Sequence, residues 1–567
     1  MRLRLLSSLI AAAALAASCV GIGDVDRTQP DKVKKTIFKN PDGSAKEYFF
    51  RQTVVDVPAT TGVSFVGEQG DAERVVFEVT EDYLYVYRSY GWLANEGTVD
   101  GDQGDNYVRP GTAFQGAPLA AYPITSHFDV KRSYNPATGE QTNVLVEDMQ
   151  DRPWNEREYM RVNWGSNAIS DFRFGFASVV QNAVNSEIPT VDDNEQIVKD
   201  RPVITDDYLD VVTRYHVEPE NVDWTAYGYG KIPLCYLYTG VYKDCSGGTV
   251  KVRASFVPVD KLPRYADEQN PVGGKSDYVK LDYDDLRFQK FGFFRTERHA
   301  FDDDYDIIEG SQIRLANRWN IWKNPAGCYD PDADHPYANC SPNDIRTIVY
   351  YLNEDFPTAE FPEMHAQAMD NGEAWNNLFR EAVKASTGWT DEQLGDKRIF
   401  TMCPNNPVKA GDPTECGAEG LNPQIGDLRY SMYYYVPNYQ ESSPLGYGPS
   451  AADPKTGEII QGNAFYYGQP AVTLARRTQD ILELELDIKT KKDIMSGKDV
   501  RDHVAASNQK FEVRSVKERA QQIIAEKDIV AKGRNLKRMV QSGQARVDRR
   551  ATRAAAARNS GLVQSVI

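Results

Sequence analysis

Across 567 residues, 82 Asp and Glu outweigh 65 Lys and Arg, giving a formal net charge of −17. That acidity argues against nucleic acid or an anionic lipid surface as the main partner, and a mean hydropathy of −0.56 fits a water-soluble body. The length leaves room for two or three domains.

Residues 1–18 have the three parts of a secretory signal peptide: Arg2 and Arg4, an apolar run over 5–17, then small residues. The run is shorter than the roughly 18–20 residues that span a bilayer. Ala16-Ala17-Ser18-Cys19 resembles the lipobox of bacterial lipoproteins, with Leu15 one place further from the cysteine than the family's usual leucine. The resemblance implies acylation of Cys19 and a lipid anchor in a bacterial membrane, with the outer membrane expected. A linker over 19–45 follows, polar and glycine-containing in its first part as a tether should be.

The chain has seven cysteines, an odd number that leaves one over in an oxidising compartment. Setting Cys19 aside leaves three neighbouring couples, Cys235/Cys245, Cys328/Cys340 and Cys403/Cys416. Three local disulfides are expected, each closing a short loop and stabilising by roughly 3 kcal/mol in the chain-entropy model. Zinc binding by the cysteines is the weaker reading. No C-x-x-C pair exists, and only His335 lies near a cysteine, Cys340.

Residues 46–300 read as a β-rich domain. Polar and apolar residues alternate over Arg74–Val79 and Tyr83–Tyr87, with Thr80-Glu81-Asp82 as the turn between them. A second hairpin is expected from 127–132 and 142–147 across Asn135–Gly139, and further strands over 208–217, 233–242 and 249–257. The region should be a sandwich or a partly closed barrel. Its many tyrosines suggest carbohydrate stacking less than cross-strand pairs or core.

The texture changes over 301–487. Strands are expected over 345–352, 398–403 and 428–436, with a fourth fed by the loop 446–460. A helix with Met364, Trp375, Leu378, Phe379 and Ala382 on its apolar stripe ends at Gly388, and a second helix covers 470–487. This order defines an α/β unit. The tail, 488–567, is charged and helical in pattern: Val516, Ala520, Ile523, Lys527 and Val530 recur at helical spacing, as do Ile529, Gly533, Leu536 and Val540. The alanine-rich basic stretch 546–558 reads as a solvated helix. Asp302-Asp303-Asp304-Tyr305-Asp306 lacks the Gly and terminal Glu of an EF-hand loop and reads as a solvated acidic loop. The fold class is therefore α+β and multidomain.

Particular residues of the α/β unit resemble the N-terminal subdomain of a family of large bacterial zinc metallopeptidases related to the metzincins. Asp344–Leu352 is similar to its first strand, Ala374–Phe379 to the "AWN…F" core of its first helix, and Gly426–Met432 to its "DIRY" strand. Gly446-Tyr447-Gly448-Pro449-Ser450 with Asp453–Ile459 resembles its "GPS…DPRTGEI" edge-strand motif, which leads toward the zinc helix. Phe291–Glu297 and Asn317–Trp322 look like its preceding domain, so that the resemblance covers about residues 45–505. It implies zinc held by an H-E-x-x-H-x-x-G-x-x-H helix and turn, with the Glu as general base. Here the six histidines are His127, His216, His299, His335, His365 and His503; no two are four apart and none precedes Glu. A G-x-S-x-G nucleophile elbow is also absent.

No catalytic residue, metal ligand or cofactor is therefore expected, and zinc only if a missing catalytic segment is supplied. The first expectation is an envelope lipoprotein resembling the N-terminal part of such a peptidase, inactive as given, either shortened or one half of a split protein. The second is a stand-alone binding or structural lipoprotein on a retired protease scaffold. Expected partners are the membrane through Cys19 and an envelope protein or peptide, with no nucleic acid.

Overall fold

A computed structural model of the chain describes residues 24–29, 31–59, 64–90, 118–169, 180–186, 202–219, 221–228, 230–233, 248–262, 278–283, 288, 290, 292–299, 312–323, 327–359, 361–440, 443–486, 488–498 and 501. Cys19, Cys235 and Cys245, the Asp302–Asp306 loop, His503 and the stripes over 516–540 lie outside these residues, as does most of the strand expected over 233–242. What is described is a mixed α/β, strand-rich molecule.

The first sheet begins with β1 (Val25–Asp26) and β2 (Lys32–Lys34), then β3 (Tyr48–Asp56), β4 (Glu73–Val79) and β5 (Tyr83–Arg88). It continues with β6 (Ala120–Tyr134), β7 (Gln141–Asp148), β8 (Tyr159–Val162), β9 (Val180–Ser186), β10 (Val203–Ile204) and β11 (Leu209–Pro219). A small hairpin, β12 (Asn221–Asp223) and β13 (Lys231–Pro233), precedes its last strand, β14 (Gly248–Pro258). The strands lie in the order β1-β7-β6-β5-β4-β3-β14-β11-β10, curled into a half-barrel. Both expected hairpins form, β4 with β5 and β6 with β7. Alternation sets the faces of β5: Leu84 and Val86 are buried in the core, while Tyr83, Tyr85 and Tyr87 form a half-buried ladder with centroids 5.6 and 5.8 Å apart. The concave side is filled by Phe38, Tyr48, Phe50, Phe77 and Phe256, with Phe50 stacked on Phe256 at 4.7 Å.

The segment expected to be a linker joins this sheet. From Val25 the chain pairs with β7, Lys32–Lys34 pairs with β8, and Val33, Ile37 and Phe38 enter the core. Polar composition suggested a tether, but three apolar side chains within it have a greasy concavity to fill.

After the hairpin β15 (Arg295–His299) and β16 (Gln312–Ala316) comes the second sheet. It contains β17 (Arg318–Trp319), β18 (Ile348–Leu352), β19 (Phe400–Cys403), β20 (Ser431–Val436), β21 (Gly446–Tyr447), β22 (Ser450–Ala452) and β23 (Glu458–Tyr467). The order is β17-β23-β20-β18-β19, all parallel, with β21 and β22 antiparallel along β23. Helix α1 (Pro362–Thr387) crosses from β18 to β19, and α2 (Gly468–Glu485) leaves β23 directly. Gly388 closes α1 at φ 74° and donates to Lys384 O.

The inner face of α1 matches the apolar stripe expected only in part: Met364 and Phe379 pack against the core, whereas Trp375 and Leu378 do not. Trp375 is 51% and Leu378 59% exposed, and the buried positions are Ala368, Gly372, Asn376, Val383 and Thr387. Close approach to β19 explains the change. A Cβ on Gly372 would lie 2.6 Å from Met402 Cβ, and Asn376 Oδ1 accepts from the backbone of Ile399 and Phe400. Small and polar side chains line the closest approach to β19, where bulkier ones would push the helix off the strand. Two cysteine pairs are at disulfide distance, Cys328–Cys340 and Cys403–Cys416.

The two sheets share a buried layer of Phe49, Tyr208, Val257, Leu428, Ala451 and Ile460. Between them β3 is buried on both faces, Tyr48 and Phe50 toward the half-barrel and Phe49 toward the second sheet. Gly67, at φ 88°, lets the loop after β3 lie on Phe465, whose ring would be 2.6 Å from any Cβ there. Gly43 has a similar φ of 86° but open space around it. Gly43→Ala should therefore lose about 1–2 kcal/mol, the cost of a left-handed alanine, and Gly67→Ala clearly more. Urea unfolding of both variants checks the order, and equal losses would mean the Phe465 contact is soft.

Candidate functional site

The stretch expected to lead toward chemistry, Asp453–Glu458, forms the tight turn between β22 and β23. Asp453 O accepts from the backbone of Thr456 and Gly457, and Gly457 takes φ 76° where a Cβ would meet Ala316 O at 2.8 Å. Asp453 is fully buried. Its Oδ1 accepts from Lys455 N at 2.9 Å and Arg74 Nε at 3.0 Å, and its Oδ2 from Thr456 Oγ1 at 2.8 Å and Arg74 Nη2 at 2.6 Å. Four donors fill the four lone-pair positions of a carboxylate. A saturated carboxylate has nothing left for a metal ion or a substrate proton.

Arg74 itself is buried on β4, its guanidinium 4.9 Å over the Phe49 ring, and it also donates to Glu47 at 3.1 Å. Burial alone would raise the Glu47 carboxyl; the Lys455 ammonium and Arg74 overcome it and hold it below its ordinary value. On the other side of the turn Arg298 donates to Pro454 O at 2.9 Å and lies 5.4 Å over Tyr90. Glu73 completes the belt with a bidentate pair to Arg88. Three distant segments thus grip one turn.

A second ionic group joins the sheets at Gly426–Tyr430. Arg429 makes a bidentate pair with Asp427 and lies 3.7 Å over the Tyr208 ring. Leu428 N donates to Ser255 Oγ, and Arg253 pairs with Asp210 at 3.0 Å while donating to Ile425 O. Burial pushes the Asp210 carboxyl up to about 6, against the pull of Arg253 and Arg429 and with help from Asp427. Here too the residues act as rivets.

The histidines are dispersed. His127 Nε2 donates to Glu81 O at 2.9 Å, and burial holds its pKa below the usual value. His335 Nδ1 lies 2.9 Å from Ala385 O and His365 Nε2 3.0 Å from Pro404 O. His216 and His299 fall on β11 and β15. Among the described residues no three His, Cys, Asp or Glu side chains converge as metal ligands. Sequence reading missed Arg74, Glu47, Asp210 and Arg253. The only local signal was a charge at an inward position of an alternating strand, as at Arg74 in Glu73–Val79. No protein-family model matches the chain, and neither a curated protein nor a solved structure matches it.

Removing one partner of a buried pair strands the other, so Arg74→Met should lose about 3–5 kcal/mol. In a cycle with Asp453→Asn the two sites should couple by about 1–3 kcal/mol, read from urea midpoints; independent losses would show that the pair does not hold the turn. The Asp210 carboxyl gives a pH dependence. Folded, it keeps its proton to about 6 against an ordinary 3.8, so the native state binds more protons between those values. Stability from this group is complete below the window and falls as pH rises through it. Asp210→Asn should flatten that part of the curve, measured as urea midpoint against pH, and parallel curves would contradict it.

Proposed function

We propose that the chain is a cell-envelope lipoprotein, anchored through Cys19, whose α/β part follows the N-terminal subdomain of metzincin-like zinc metallopeptidases and which carries out no zinc chemistry on its own. The observation that carries this reading is the sheet built around the Gly446–Glu458 motif. Its short edge strands β21 and β22 lie antiparallel on β23, the other strands are parallel, and β23 runs straight into a helix. What the resemblance implies at this motif is an edge strand leading toward a helix, and the passage of β23 into α2 supports the reading to that extent. Helix α2 contains no histidine, and the acid of the motif is saturated by structural donors. The pairs Cys328–Cys340 and Cys403–Cys416 suit an oxidising compartment.

The same saturation favours a second reading, a binding or structural lipoprotein on a retired protease scaffold. In both, the half-barrel serves as the docking body for an envelope protein or peptide.

One fermentation tests the proposal. Growth with a palmitate analogue should label the chain and place it in the membrane fraction, and Cys19→Ala should abolish the label and release it. The purified chain should hold far less than one zinc after dialysis and digest casein no faster than buffer. An unlabelled wild-type chain would remove the lipoprotein reading. Stoichiometric zinc with chelator-sensitive proteolysis would remove the other half.

A further inference from the structure

Helix α2 turns a contiguous apolar face outward. Leu474 is 50%, Ile481 59% and Leu482 55% exposed, and Leu486 and Ile488 continue the stripe beyond its end. With Leu445 and Tyr466 alongside, Ala471, Leu474, Ala475, Leu482 and Leu486 line a shallow groove. With Thr478 between them, Ala471, Leu474/Ala475, Leu482 and Leu486 step by three or four residues and so form one side of the helix. A soluble body seldom leaves so much continuous apolar surface bare.

We infer that this groove is the docking site of the chain's own C-terminal segment, residues 513–530. Four observations select that occupant. First, Val513, Val516, Ala520, Ile523, Lys527 and Val530 are spaced three and four residues apart in strict alternation, the pattern of a stripe that packs along another helix. Second, the lengths match: α2 has 18 residues and so does 513–530, about 27 Å each as helix. Third, the tether reaches. The described chain returns at residue 501, and the twelve residues to 513 extend to about 40 Å. A segment on so short a leash has an effective concentration in the millimolar range, far above that of a second copy. Fourth, the charges attract. Residues 531–567, which follow the segment directly, hold nine Lys and Arg against one Asp, a surplus of eight positive charges in a chain whose net charge is −17. The rest of the molecule is correspondingly more acidic.

The test places p-benzoylphenylalanine at position 482 of the full chain, on the exposed face where folding does not depend on it. Irradiation at about micromolar protein should give cross-links at monomer mass, mapped by peptide sequencing to 513–530. Adding Ile523→Asp should lower the yield at least severalfold, while Gln521→Asp, on the opposite side of the same helical pattern, should leave it unchanged. Cross-links at dimer mass would assign the groove to a second copy and overturn the inference. Links to any other segment, none at all, or equal effects of the two aspartates would overturn it as well.

Discussion

Arg74 and Asp453 stand 379 residues apart in the chain, and water reaches neither. A guanidinium and a carboxylate taken out of water each lose several kcal/mol of hydration, recovered only when they meet in good geometry with their remaining positions filled. Both conditions hold here. The two oxygens of Asp453 take two bonds from the arginine and two from their own turn. This fixes where the β22–β23 turn can sit against the half-barrel. Once it is fixed, Phe49, Ala451 and Ile460 fall into one layer, Arg429 covers Tyr208, and Gly67 must clear Phe465.

The elements were legible where burial is one-sided. β5 alternates cleanly, because one face meets the core and the other is a tyrosine ladder, and β4 and the β6–β7 hairpin form where their patterns place them. α1 was legible in existence and end, through Gly388, but only in part in orientation. Its inner face is decided by how near β19 lies, a distance that Ala368, Gly372 and Asn376 record only once the strand is in place. The early segment from Val25 was misjudged for a similar reason, since a few apolar residues among polar ones carry no period. Of the two ionic groups, Asp453, Asp427 and Arg429 stood inside motifs, whereas their partners on β4, β11 and β14 did not. No local pattern announces a partner hundreds of residues away.

A motif that resembles one from a catalytic family need not report catalysis. In this molecule the acid, the lysine and the threonine of Asp453–Gly457 are spent on shaping one turn and seating it on the half-barrel. Such residues are accounted for by the joint alone, with no chemistry needed to explain them. The proposed role as an envelope lipoprotein without its own zinc chemistry is consistent with that division of labour.

Strand β3 lies between two cores, and this bears on the time course of synthesis. Its half-barrel side is completed by β14, but on the other side Arg51 waits for Gln461, 410 residues further along. At roughly 5–20 residues per second, translation needs on the order of 20–80 seconds to supply that partner. For that interval the nascent half-barrel carries Phe49 and Arg51 on an unfinished face: Arg51 has Gly70 O at 2.8 Å, but Leu428, Ala451 and Ile460 have still to be made. The front of this molecule therefore cannot finish folding as it is made. It must be held open, or remain only loosely closed, until the strand ending at Tyr467 arrives.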